Sequence, residues 1–281
     1  MTHIYKKVFA GERPLYASRE LQLQSVTINE GESGLKECRQ IHAQRCHFRG
    51  MYILWEGQDI QCEDCLFDKD SRASLWYVKN LKLNQCRINS VKPLREICGF
   101  SISNLTVKQG AEAFWFCKEG VIDTALLKNA EYAFFKSAQI KINRLALQGK
   151  YSFQYTRNIE IHDSTLDTKD AFWMSENCTI FDSQVKGEYL GWYSNNLRLV
   201  RCHITGTQPL CYCRNLVLED CTFGPDADLA FEYSDVQATL HSPITSIKNP
   251  TTGKIACQGC DEIIIDEHRR EPADCQIIKC C

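Results

Sequence analysis

An all-β fold, a parallel β-helix of short stacked coils, is predicted by three observations. Apolar residues at relative positions 1, 3, 6 and 8 recur along the chain, as in Ile159-Ile161-Ser164-Leu166, Cys178-Ile180-Ser183-Val185 and Leu197-Leu199-Cys202-Ile204. The starts of this pattern lie 19 to 21 residues apart from Leu21 to Leu216. An asparagine precedes five of those starts, at positions 80, 158, 177, 196 and 215. A fixed period of this length marks a solenoid, in which each coil buries its apolar face against the next.

Within a period, two large residues two apart require a short strand with one buried face, because side chains alternate along extended chain. Two residues then make a corner, and a second short strand follows. A polar loop leads to an expected third strand, at 53–56 (ILWE), 74–77 (SLWY), 113–116 (AFWF), 133–136 (AFFK), 171–174 (AFWM) and 190–193 (LGWY). Asparagine suits the corner before each coil, since it tolerates left-handed backbone, and amides one rung apart can hydrogen-bond as a ladder. The copy Gly120-Ile122-Ala125-Leu127 is weaker but keeps the phase. About 11–12 coils result, as one domain over 15–247. Segments 1–14 and 248–281 are expected as terminal caps, since a solenoid otherwise exposes strand edges and core.

Asn158, Asn177, Asn196 and Asn215 fall where the right-handed parallel β-helix proteins of the pectate-lyase-like class carry an asparagine ladder, and over 15–247 the chain resembles that class. The blocks AFWF and AFWM and the tail motif CDEIIIDEH (260–268) resemble an uncharacterised bacterial family of such β-helices. The resemblance implies right-handed coiling and brings no activity with it. Catalysis in the class needs a base and usually an acidic cluster. The matching outer face here carries His47, Arg87, Thr106, Thr165, Gln184 and His203, which departs from that pattern.

Net charge is −2 with acids and bases interspersed, which gives no reason to expect a nucleic-acid or membrane-surface partner. No apolar run approaches the roughly 20 residues that cross a bilayer. The N-terminus lacks the apolar core of a signal peptide. Seventeen cysteines, an odd number, then read as reduced thiols in a cytoplasm, most of them small buried residues.

Three groups of residues are candidate sites. Trp55, Trp76, Trp115, Trp173 and Trp192 all stand five residues before a repeat start, with Tyr193 in the following phase beside Glu56, Tyr77, Glu96 and Phe116. A lengthwise Trp/Tyr strip flanked by carboxylates suits an extended carbohydrate-like ligand; an interface between copies of a structural scaffold, or a covered strip, are the alternatives. Asp163 and Asp182 should sit one rung apart with His162 beside them, a pair that could serve as acid and nucleophile in a glycoside hydrolase or lyase-like enzyme. Arg144 and Arg201 share their row, so a charge ladder is the competing reading. Finally, Cys257, Cys260, Cys275 and Cys280 have the type of spacing that holds zinc, with His268 as an alternative ligand; no other cofactor is expected.

Overall fold

A computed structural model describes residues 1–279. The described residues form strands and turns with no helix. The strands pair parallel in right-handed coils, about 15 turns among the described residues. The chain divides into two compact units, Met1–Ala146 and Leu147–Cys281.

In the first unit the strands Arg19–Gln24, Arg39–Gln44, Gln58–Glu63 and Lys79–Asn84 bury alternate residues. Leu21 pairs with Ile41, Ile41 with Ile60 and Ile60 with Leu81, so the repeat starts stand in register. Across the corner, Thr27–Ile28, His47–Phe48, Leu66–Phe67 and Arg87–Ile88 pair likewise. Equal periods stack the core in columns. Phe48 lies 4.9 Å from Phe67, and Phe114 lies 4.7 Å from Phe134 with the rings nearly parallel.

In the second unit Arg157–His162, Glu176–Phe181 and Asn195–Val200 repeat the arrangement, followed across the corner by Thr165–Lys169, Gln184–Lys186 and His203–Thr205. The corner asparagines Asn158, Asn177, Asn196 and Asn215 have φ between 51° and 54°, the left-handed region that asparagine enters at low cost. Asn196 Nδ2 donates to Asn177 Oδ1 at 2.8 Å, one rung of the expected ladder. In the first unit, Gln40, Asp59 and Glu119 take the same backbone at the same phase, so the corner favours asparagine without requiring it.

The expected third strand is corrected. Residues 53–56, 74–77 and 113–116 form turns and bends whose ladder pairing is limited to isolated bridges such as Trp76 with Arg95 and Arg95 with Trp115. Leu54 and Glu56 have φ of 58° and 56°, and the pairs Leu75/Tyr77 and Phe114/Phe116 match them. Every second residue is left-handed, so the segment coils on itself where an extended strand was expected.

Coil geometry also runs into the segments assigned to caps. Thr2–Tyr5 and Val8–Phe9 pair with Arg19–Gln24 and Thr27–Ile28. In the second unit Asp235–Leu240, Thr252–Cys257 and Gln276–Lys279 continue one ladder. Cys260–Ile264 runs parallel beside Ile244–Lys248, in line with the coils.

Cysteines fill small inward positions and are free among the described residues. Their thiols donate to backbone carbonyls of the preceding coil: Cys65 to Ala43 at 3.4 Å, Cys202 to Ile180 at 3.4 Å, Cys221 to Leu199 at 3.4 Å. In another column Cys117 donates to the Leu94 carbonyl at 3.4 Å, and Ser137, next in that column, makes the equivalent bond to Phe114 at 2.5 Å. Cysteine here is a compact side chain with a weak donor. Burial pushes the thiols of Cys117 and Cys213 from an ordinary 9.0 up to about 12. A group whose folded pKa lies above its unfolded value stabilises the fold below the unfolded value, and that contribution is lost as pH rises through the folded one. The urea midpoint should therefore fall between pH 9 and about 12, and Cys117→Ala should flatten the fall. An equal slope in wild type and variant would show that this thiol titrates as freely folded as unfolded.

Candidate functional site

The aromatic strip of the first unit is built on the coiled turns. Leu54, Leu75 and Phe114 point into the core and are fully buried. Trp55, Trp76 and Trp115, next in sequence, are half-buried. Each indole N–H donates to a carbonyl of the following coil: Trp55 to Ala73 at 2.5 Å, Trp76 to Lys92 at 2.6 Å, Trp115 to Tyr132 at 2.7 Å. Trp55 and Trp76 stack face to face at 5.0 Å and 7°. On the next rung the Arg95 guanidinium lies 4.8 Å from the Trp76 ring and 5.2 Å from Trp115, a cation between two π faces. These tryptophans therefore spend their faces and N–H groups on neighbouring coils.

The row after them is the exposed one. Tyr77 is 38% and Phe116 36% exposed, and the Glu56 and Glu96 side chains are more open still. The Tyr77 ring stands at 88° to Trp55 and 84° to Trp76, and Phe116 at 90° to Trp115. The Arg95 guanidinium also lies 5.4 Å from the Phe116 ring, and Phe135 meets that ring at 5.9 Å. Arg95, Glu96, Cys98, Phe116 and Lys118 line an open hollow of about 530 Å³ beside this row.

The second unit carries a different aromatic group. The Trp192 indole donates to the Gln208 carbonyl at 2.8 Å, and Trp173 meets it edge-on at 6.0 Å. Tyr193, 47% exposed, stacks on Tyr212 at 4.7 Å and 13°. Burial, and next the nearby Glu232 carboxylate, push the Tyr212 hydroxyl up to about 12. Here the rings cover one another and present their edges.

The acid–base candidates are brought together, with Asp182 and His162 already engaged and the Asp163 side chain exposed. His162 pairs with Phe181 across the ladder, which places Asp163 one rung from Asp182. Arg201 grips Asp182 with two N–H groups at 2.6 and 2.7 Å, and this guanidinium holds the Asp182 carboxyl below the usual carboxylate range. A general acid must keep a proton at working pH, which this environment opposes. His162 Nε2 lies 2.6 Å from Glu160 Oε1, and its ring stacks on Phe181 at 4.6 Å. The same row pairs His241 with Asp220 at 3.0 Å, and in the first unit Arg144 with Asp123. It is a ladder of opposite charges.

In the tail Cys257 and Cys260 are buried and Cys275 is half-buried. The Cys260 thiol donates to the Glu262 carbonyl at 3.1 Å. Cys280, the fourth expected ligand, lies outside the described residues. Among the described residues no three His, Cys, Asp or Glu side chains gather as a metal-ligand set. Nor is any helix among them long and apolar enough to cross a membrane.

Arg95, the cation between two tryptophans, was not among the residues singled out from the sequence. The visible signal was a lone arginine at the spacing of the tryptophan row. The indole bonds left no signal, because their acceptors are backbone carbonyls.

Several solved structures are similar to this chain at very low identity and low TM-score. HetL, a pentapeptide repeat protein involved in heterocyst differentiation regulation in the cyanobacterium Nostoc, is 10% identical over 79% of this chain and 92% of its own, with a TM-score of 0.32. The plasmid-mediated fluoroquinolone resistance protein QnrB1 is 10% identical over 84% of this chain and 91% of its own, at 0.28. The A-module of a mannuronan C-5 epimerase from Azotobacter vinelandii is 7% identical over 97% of this chain and 91% of its own, also at 0.28. No curated protein matches the sequence. A family defined as a protein of unknown function, DUF3737, matches residues 2–278, and the chain belongs to it.

Proposed function

We propose that the protein is a binding module for an extended carbohydrate, held along the first unit by Glu56, Tyr77, Glu96 and Phe116. The observation that carries this reading is the pair of exposed rings, Tyr77 and Phe116, each set across the tryptophan stack with Glu96 on the rung between them. The exposed ring surface takes the apolar faces of sugar rings, and the carboxylates accept their hydroxyls. Rungs recur every ~4.8 Å, a repeat that a polymer of similar residue length can follow. The tryptophans act beneath this row as its rigid support. The engagement of Asp182 by Arg201 favours binding over hydrolysis as the role of the fold. The free buried thiols suit a reducing compartment such as the cytoplasm.

The test is calorimetric titration with a panel of soluble polysaccharides, alongside sedimentation over a concentration series. Each ring contributes about 0.5–1.5 kcal/mol, so Tyr77→Ala/Phe116→Ala should weaken the best ligand by roughly 5-fold to 150-fold. A double variant that binds like wild type would remove this row as the platform. A wild-type dimer that the same two substitutions dissociate, with no sugar bound by either protein, would make the row a contact between copies.

A further inference from the structure

The period from Ile60 to Leu81 is 21 residues, whereas those from Ile41 to Ile60 and Leu81 to Phe100 are 19. In a repeat protein a local surplus leaves the coil as a loop, often on the binding face. Here it falls at 68–72. The Asp68 carbonyl accepts the Ser71 N–H at 3.0 Å and the Ser71 hydroxyl at 2.7 Å, and its carboxylate accepts the Lys69 N–H at 2.7 Å. This turn leaves Lys69, Asp70 and Arg72 exposed. Lys69 and Arg72 join Arg49 in lining an open cleft of about 730 Å³ in the first unit. Glu30, Glu32 and Asp70 line it too, with Met51 and Val91 as apolar surface.

Arg49 lies at the centre of the charge balance. Its Nη2 is 3.6 Å from Glu30 and its Nε 3.8 Å from Asp68, both beyond hydrogen-bond length. Nε is buried with no hydrogen-bond partner. Asp68 is occupied by His47, at 3.0 Å, and by the Lys69 amide. Among the described residues Lys69 and Arg72 have no side-chain ion pair. Three cations thus meet three carboxylates at one cleft, and the buried Arg49 Nε, a donor without an acceptor, is costly to keep.

We propose that this cleft binds a small molecule carrying an oxyanion, phosphate or carboxylate, on a hydroxylated body. Arg49, Lys69 and Arg72 take the oxyanion through charge-assisted hydrogen bonds, and Glu30 and Glu32 accept hydroxyls. The site is separate from the aromatic row and does not depend on the reading given for it.

Calorimetry on the full chain with glucose 6-phosphate, glucuronate, glucose and inorganic phosphate tests it. One of the two charged sugars should bind at least 10-fold more tightly than glucose and than inorganic phosphate, and which of them does so identifies the oxyanion. Arg49→Gln should weaken that ligand at least 10-fold. Lys69→Ala/Arg72→Ala, at two exposed side chains, should do the same with an unchanged circular dichroism spectrum, which keeps the test open if Arg49→Gln fails to fold. Tyr77→Ala/Phe116→Ala should leave it unchanged. No binding of either charged sugar at millimolar concentration, equal binding of inorganic phosphate, or full affinity in the Lys69/Arg72 double variant would each overturn the proposal.

Discussion

Phe172→Ala is expected to lower the unfolding free energy by about 3–5 kcal/mol, as removal of a fully buried ring does where the surroundings cannot close the space. Phe172 is 0% exposed and stacks on Phe153 at 4.8 Å and 3°. Its neighbours in the column are fixed by the ladder, because each coil donates its backbone N–H groups to the next, so the cavity has little freedom to collapse. Alanine is no better suited than phenylalanine to the left-handed backbone at this position, φ 58°, and offers no compensating gain. Urea denaturation followed by circular dichroism reads the change. Met174, two residues on and 50% exposed, is the control: Met174→Ala should fall within about 0.5 kcal/mol of wild type. Similar losses in the two variants would mean that the Phe172 ring is not core.

Gly120→Ala should destabilise by about 1–3 kcal/mol through overpacking. Gly120 lies in the strand Lys118–Glu131, opposite Phe100 on the preceding coil. A β-carbon at Gly120 would overlap the Phe100 ring. At the other repeat starts of this unit the position holds Leu, Ile or Phe, so the large ring of one coil occupies the space of the next. The sign of the cycle follows from that. Phe100→Leu should be destabilising alone and should relieve most of the loss in the Gly120→Ala background, a coupling that independent sites do not show. Additive losses would place the ring elsewhere.

Gly120 also shows how the sequence conceals a sound coil. Its copy of the pattern is weak because the missing side chain belongs to its neighbour, and pair compensation leaves no mark within a single period. The first strands, the corners and the columns were legible, since each rests on residue type at a fixed phase. The third strand was misread because nothing in Leu54-Trp55-Glu56 announces that its first and third residues are left-handed; an alternating pattern reads as extended chain. The candidate site was legible in part. The exposed row followed from its phase, whereas the pinning of each indole and the ring angles that leave Tyr77 and Phe116 open depend on side-chain orientation. The surplus residues at 68–72 stood in the spacing, but the unmet donor on Arg49 did not.

The left-handed residues of the turns bear on how such a chain comes together. In the turn around Trp55, Tyr52 donates its N–H to Arg72 at 3.1 Å on the coil ahead, Leu54 to Gly34 at 3.0 Å on the coil behind, and Glu56 to Trp76 at 2.9 Å ahead again. Each of the three takes a backbone that costs a non-glycine residue roughly 1 kcal/mol, and the bonds that offset the cost come from other coils. A solitary coil is therefore a poor structure, but one laid on a finished face is a good one. Assembly is templated: the existing turn is the mould for the next, and a coil that springs open between two intact ones is recast from both sides.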